Sequence, residues 1–359
     1  MADKVHVRFA TNRAPDPDQS ILFGSTYRDG NPKRYVNGSI DVDRVSDLPD
    51  TGWKPDAQTL QVGPPIDAGI LQPAAAAKDD IVSFARSRAA VKNLAPTYGL
   101  VFLPGFDSNF MDSISRAAQI ADAYKAAEVF CFAWPSQGRL DLPGYLEDRE
   151  AALKSAEAVA DSLRKLFAFL SAMEAAPPPL HIVAHSMGNY ALRNAIQLIP
   201  ANERNRTLFE GALLMAADED DDALSKANEL APLITLAKKV AVYKNSGDFA
   251  LAASQVINNS GRLGAWGPRN LETLPSTVTS IDCSDVSSTQ GDNGQTQFGH
   301  QYYRLSPWVI NDVVQVLDGK RPDQIQGRLR GPGDDKGGRA WWIPYDSAAA
   351  AQARWQAAA

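Results

Sequence analysis

Ala184-His185-Ser186-Met187-Gly188 follows directly on the apolar run Leu180-His181-Ile182-Val183. Small residues two before and two after a serine, between a buried strand and a helix, let the helix pass close to the strand while the serine is pushed clear of the backbone. That is the pattern of a nucleophile elbow. Ala184 stands where such turns more often carry Gly, and a methyl group is tolerable at the crossing. Asn189 to Leu198 continues with Ala191, Leu192, Ala195 and Ile196 at helical spacing until Pro200, so the serine has both its strand and its helix. The competing reading is a serine that only caps that helix.

An unassisted hydroxyl is a weak nucleophile, so a neutral imidazole must take its proton and a carboxylate must hold that imidazole in the right tautomer. The chain has four histidines, His6, His181, His185 and His300. Where the chain order is serine, acid, histidine, His300 is the one that qualifies. It sits in Phe298-Gly299-His300-Gln301-Tyr302-Tyr303, at the exit of a long loop. For the acid, Asp248 follows the strand-like Val240 to Tyr243 through Lys244-Asn245-Ser246-Gly247, on the side where open α/β sheets place their sites. Asp248 is also a good cap for the helix opening at Phe249. Asp218 is the competitor, at the head of Asp218-Glu219-Asp220-Asp221-Asp222, a run that reads as a solvated first helical turn. Asp248 is preferred. Backbone N–H groups must meet the developing oxyanion: Met187 supplies one, and Phe106, in Leu103-Pro104-Gly105-Phe106, the second. Trp134, Phe106 and the loop from Asn259 to Gln297 are candidates for the pocket wall.

These residues need a sheet to hold them. Strand-like runs fall at Gly99 to Leu103, Val129 to Ala133, Leu180 to Ala184, Gly211 to Ala216, Val240 to Tyr243 and Thr277 to Cys283. Helical stretches fall near Phe110 to Tyr124, Tyr145 to Leu170, Asn189 to Leu198, Ala223 to Leu236 and Phe249 to Asn258. The alternation predicts an α/β protein with a mostly parallel central sheet and helices on both faces. Residues 1–95 read as a β-rich N-terminal extension packed on that core, with strands at Val5 to Ala10, Tyr35 to Val42 and Thr59 to Val62 and a helix from Asp79 to Val91. Residues 96–318 form the catalytic core. Residues 319–359 form a tail with Trp341-Trp342 and an Ala-rich helix after Asp346.

Composition narrows the partners. Net charge is −6 across 359 residues, and no Lys/Arg stripe is dense enough to bind nucleic acid. No run of ~18 apolar residues and no leader h-region appears, so a cytoplasmic protein with no transmembrane segment is expected. Two cysteines make no disulfide framework, and Cys131 reads as a buried hydrophobe. His181 and His185 lie four strand steps, roughly 13 Å, apart and cannot share a zinc ion. No metal and no cofactor is expected.

Leu103-Pro104-Gly105-Phe106-Asp107, Phe132-Ala133-Trp134-Pro135-Ser136, Tyr145 with Asp148-Arg149-Glu150, the elbow through Asn189, and Arg262-Leu263-Gly264 form a wider pattern. With Phe9-Ala10-Thr11-Asn12-Arg13, it resembles the mainly bacterial α/β hydrolases catalogued as a domain of unknown function, over about residues 7–317. The resemblance implies an α/β-hydrolase fold with a Ser/Asp/His triad and adds little about substrate. Two departures stand out. Pro104-Gly105-Phe106 replaces the usual His-Gly-Phe, losing a side chain but keeping the backbone donor, and Ala217-Asp218 replaces a Pro-Asp pair. The leading expectation is a serine hydrolase that cleaves small carboxylic esters through an acyl-enzyme. The alternatives are a catalytically silent binding or scaffold protein, or a serine hydrolase acting on amides or thioesters.

Overall fold

Apolar runs buried on both faces become parallel strands, because each face is covered by a crossover helix. In the computed structural model, which describes residues 3–18, 20–69, 98–171, 179–331 and 338–345, the N-terminal strands are β1 Lys4–Thr11, β2 Arg13–Pro15, β3 Phe23–Tyr27, β4 Arg34–Arg44, β5 Trp53–Pro55, β6 Gln61–Val62 and β7 Ile66–Asp67. The alternating part supplies β8 Gly99–Leu103, β9 Glu128–Phe132, β10 Leu180–His185, β11 Gly211–Met215, β12 Val240–Lys244 and β13 Val278–Asp282. Near the C-terminal end come β14 Leu329–Arg330 and β15 Ala340–Trp342. The helices expected at Asp79 and after Asp346 lie outside the described residues.

The sheet runs β14-β15-β13-β12-β11-β10-β8-β9-β1-β4-β5, with β6 and β7 on β4. From β1 to β15 every pairing is parallel, while β4, β5 and β14 run antiparallel to their neighbours. The strand-rich N-terminal part thus joins the core edge to edge, with Val7↔Val129 to Ala10↔Phe132 in register. The segment around Trp341 likewise extends the other edge along β13. Both additions cover strand edges that would otherwise be open to pairing with another chain.

Helices Leu142–Lys154, Ala156–Ser171 and Gly188–Leu198 cover one face, burying Ala152, Val159, Leu163, Ala191 and Leu192 with Val101, Leu103 and Ile182. Phe110–Ala123 and Pro307–Leu317 cover the other, with Ile114, Ala117, Val309 and Val313 against Leu100, Phe102 and Val183. Among the described residues no helix is long and apolar enough to cross a membrane.

Three expectations need correction. The single helix from Tyr145 to Leu170 is two, because Ser155 donates its hydroxyl to the Ala151 carbonyl at 2.8 Å and accepts from Asn12 Nδ2 at 3.0 Å, and such back-bonding bends helices. The helix from Ala223 to Leu236 reduces to a 3₁₀ turn at Ala223–Ser225 and one turn at Leu233–Leu236, since Pro232 has no N–H and disfavours helix before it. The acidic run is no solvated helical turn: Asp218 and Glu219 are buried, and Asp220, Asp221 and Asp222 pair with Arg262, Arg269 and Lys226.

The chain leaves β8 for β9 on one side and returns to β10 on the other, which opens a crevice at their carboxyl ends. Beside it the Arg262-Leu263-Gly264 segment crosses the turn after β11, and a Cβ on Gly264 would lie 2.1 Å from the Ala217 nitrogen. Gly264→Ala should lower stability by about 3 kcal/mol, read as a lower urea midpoint at constant m. An unchanged midpoint would mean that the two segments do not press together in solution.

Candidate active site

Ser186 is the first residue after β10, and it sits at φ 51°, a left-handed conformation that costs any residue with a side chain. Its neighbours maintain that strain. The Ser186 N–H donates to the Met215 carbonyl at 2.9 Å, and the Ser186 carbonyl accepts from the N–H groups of Asn189 at 3.0 Å and Asp218 at 3.2 Å. Asn189 Nδ2 clips the turn closed from inside, reaching the Ala184 and Ser186 carbonyls at 3.0 and 3.1 Å. Gly188 is required: a Cβ there would stand 2.3 Å from the Leu103 carbonyl oxygen. Ala184, fully buried, fits at the crossing.

Beyond the ends of β12 and β13 lie the other two candidates. His300 Nδ1 is 2.7 Å from Asp248 Oδ2, and Asp248 Oδ1 accepts from the Leu251 N–H at 3.0 Å as the cap of helix Phe249–Asn258. The cap and the imidazole partner are one residue, each role using one carboxylate oxygen. Burial opposes a charged His300 ring, but the charge and hydrogen bond of Asp248 outweigh it and hold the ring's pKa above its ordinary 6.5. Asp218 is otherwise engaged. It accepts from the Tyr145 hydroxyl at 2.8 Å and from Ser254, and lies 3.5 Å from Arg262 Nη1. The His300 ring lies 4.7 Å, centroid to centroid, from that of His185 beside the serine. Among the described residues no hydrogen bond joins Ser186 Oγ to His300, a contact that commonly tightens when substrate enters.

The loop after β8 lies against the elbow. A Cβ on Gly105 would be 2.8 Å from the Ser186 Cβ. Neither the Phe106 nor the Met187 N–H is given to an acceptor among the described residues. Trp134 is 1 % exposed and donates Nε1–H to the Pro104 carbonyl at 2.9 Å. That bond steadies the loop that carries Phe106. Phe106 itself is half-buried and meets the Tyr145 ring edge-on at 5.7 Å. The Asn259 to Gln297 segment holds short turns and β13, and its Asp292 binds the N–H groups of Asp50 and Thr51 at the N-terminal part.

Several supporting residues carried no role of their own in the sequence reading. Arg13, fully buried, donates to the carbonyls of Gly24, Ser108 and Ser136, and burial draws its pKa down to about 10. Asp148 accepts from Ser136 Oγ and from the N–H groups of Gln137 and Asp107. Together they tie the loops after β8 and β9. The signal was present in the resemblance, which includes both residues, but no spacing rule predicts hydrogen bonds across 95 and 123 positions, as Arg13 makes to Ser108 and Ser136. A carboxylate cluster of Asp220, Asp222 and Glu229 surrounds the Lys226 ammonium, at 3.8, 2.7 and 3.4 Å.

A parallel sheet with a strained serine turn at its switch point and a His–Asp pair at neighbouring strand ends defines the class as an α/β hydrolase. More particularly, the chain belongs to the family described as Alpha/beta hydrolase of unknown function (DUF900), whose model matches residues 87–321. Among solved structures, the peroxisomal alpha-beta-hydrolase Lpx1 of Saccharomyces cerevisiae is 14 % identical, with 60 % of this chain and 43 % of that one aligned and a TM-score of 0.23. An inhibited esterase B from Lactobacillus rhamnosis is 12 % identical over 68 % of this chain and 94 % of its own, at a TM-score of 0.32. Prolyl oligopeptidase B from Galerina marginata is 9 % identical over 93 % and 42 %, at 0.27. The chain thus spans less than half of the yeast and Galerina proteins. Comparison with curated proteins finds no match.

The Asp248–His300 pair can be tested without any substrate. An NMR titration should give His300 a pKa above 6.5, and Asp248→Asn should lower it while Asp218→Asn moves it less. A His300 pKa at or below 6.5 in the unaltered protein would contradict the pairing.

Proposed function

We propose that this chain is a serine hydrolase that cleaves carboxylic esters through an acyl-enzyme. The observation that carries the reading is the 2.7 Å contact between His300 and buried Asp248, in a hydrolase fold whose strained serine turn stands at the end of β10 in the same sheet. With Nδ1–H given to Asp248, His300 presents Nε2 as its basic nitrogen.

In this reading His300 Nε2 takes the Ser186 proton as Oγ attacks the ester carbonyl carbon. The carbonyl oxygen becomes an oxyanion and receives the N–H groups of Met187 and Phe106. Each such donor is worth about 3–4 kcal/mol at the transition state. The imidazolium, stabilised by Asp248, returns its proton to the leaving alkoxide, and the C–O bond breaks to give alcohol and acyl-Ser186. Water then gives a proton to His300 and attacks the acyl carbon, and collapse frees the acid and restores the serine. Phe249 and Phe298, beside Asp248 and His300, are exposed and meet edge-on at 6.2 Å; they favour an apolar group on the ester.

The test is a panel of nitrophenyl esters of increasing acyl length. The unaltered protein should turn over at least one of them, Ser186→Ala none, and Asp248→Asn about 10⁴-fold less, with Asp218→Asn closer to the unaltered rate. Equal rates for the unaltered protein and Ser186→Ala would overturn the reading. Losses in the reverse order for the two aspartates would transfer the acid's role to Asp218.

A further inference from the structure

We propose that His185 and Asn245 are positioning residues that hold the His300 ring in place by gripping the carbonyl groups of its loop, a role that rests on the ester-hydrolase reading. Three consecutive carbonyls lead into the ring, and each is held by a different donor. The Phe298 carbonyl accepts from the Phe249 N–H at 3.2 Å, that of Gly299 from Asn245 Nδ2 at 2.8 Å, and that of His300 from His185 Nε2 at 3.1 Å.

Two of the donors adjoin a member of the proposed triad, and the third is close to one: Phe249 follows Asp248, His185 precedes Ser186, and Asn245 follows β12, three residues before Asp248. The loop needs outside support, since Phe298 and Gly299 both have left-handed backbones, at φ 51° and 68°, and such residues do not propagate a regular structure. Position 299 also needs glycine: a Cβ there would be 2.5 Å from Asn245 Nδ2.

The donors are themselves held. Asn245 Oδ1 accepts from the Gly247 N–H at 2.9 Å, and its own N–H goes to the Gly264 carbonyl at 2.8 Å. The His185 ring stacks on Tyr303 at 4.2 Å and 25°. Because a carbonyl only accepts, His185 carries its proton on Nε2. Its Nδ1 is buried with no hydrogen-bond partner among the described residues, against Gly105, where a Cβ would come within 3.0 Å. Burial foremost, with His300, Arg116 and Arg304 nearby, drives the His185 pKa well below 6.5. The ring therefore stays a neutral donor while His300 titrates. The charged groups that act on His300 are Asp248, Asp218 and Arg116, and the variants at His185 leave all three in place.

His185→Phe keeps the stack and loses the donor, His185→Gln keeps an N–H near the same point, and Asn245→Asp places an oxygen against the Gly299 carbonyl. On a nitrophenyl ester His185→Phe and Asn245→Asp should each lower kcat about 10²-fold with KM little changed, and His185→Gln should recover most of the loss. In His185→Phe the His300 pKa, read by NMR and by the pH profile of kcat, should move down as the ring loosens from Asp248. A folded His185→Phe and a folded Asn245→Asp with unaltered kcat, and with the His300 pKa of His185→Phe also unaltered, would overturn the proposal. Should the unaltered protein hydrolyse no ester, the reaction reading falls on that result, and the His300 titration still decides whether the loop is clamped.

Discussion

The constraint on which the structure turns is the close crossing of two backbones where β10 passes into its helix over the end of β8. Gly188 lies where a Cβ would meet the Leu103 carbonyl oxygen at 2.3 Å, and Gly105 where one would meet the Ser186 Cβ at 2.8 Å. At that crossing the serine adopts the left-handed backbone, at φ 51°. The same closeness sets the loop that carries Phe106 against the turn that carries Met187. The strain is local and is balanced by the parallel strands on either side, which bury every residue of β8 and β10.

Around that crossing, several buried polar groups hold loops in place. Arg13 reaches three carbonyls, Asp148 two backbone N–H groups and a hydroxyl, Asn189 two carbonyls and Asn245 a carbonyl and an N–H. Leaving one such partner buried and unpaired costs about 1–3 kcal/mol, more when it is charged. These contacts therefore resist loop movement more strongly than surface ion pairs, which typically contribute 0–1 kcal/mol. These braces fix the candidate residues, which lie on turns beyond the strand ends.

The parts of the fold legible in the sequence are those governed by local periodicity. β8 and the helix Phe249–Asn258 fall where apolar runs and turn residues place them, and the other core strands differ by a residue or two at their ends. Chain order and the scarcity of histidines pointed to His300, and the position of Asp248 beyond a strand end pointed to its partner; the two are in contact. What local pattern could not carry was long-range. β1 pairing with β9, β15 pairing with β13, and Arg13 bonding to Ser108 and Ser136 join residues far apart in the chain. Trp134 is a further case: its indole N–H finds the Pro104 carbonyl, 30 positions away in the chain.

The measurement that bears most directly on Ser186 as the activated nucleophile is the intact mass after exposure to an alkyl fluorophosphonate, followed by peptide mapping. One phosphonyl group on Ser186, absent from Ser186→Ala and formed faster as pH rises through an ionisation above 6.5, is the predicted result. No adduct on the folded protein, or the same adduct on Ser186→Ala, would contradict it.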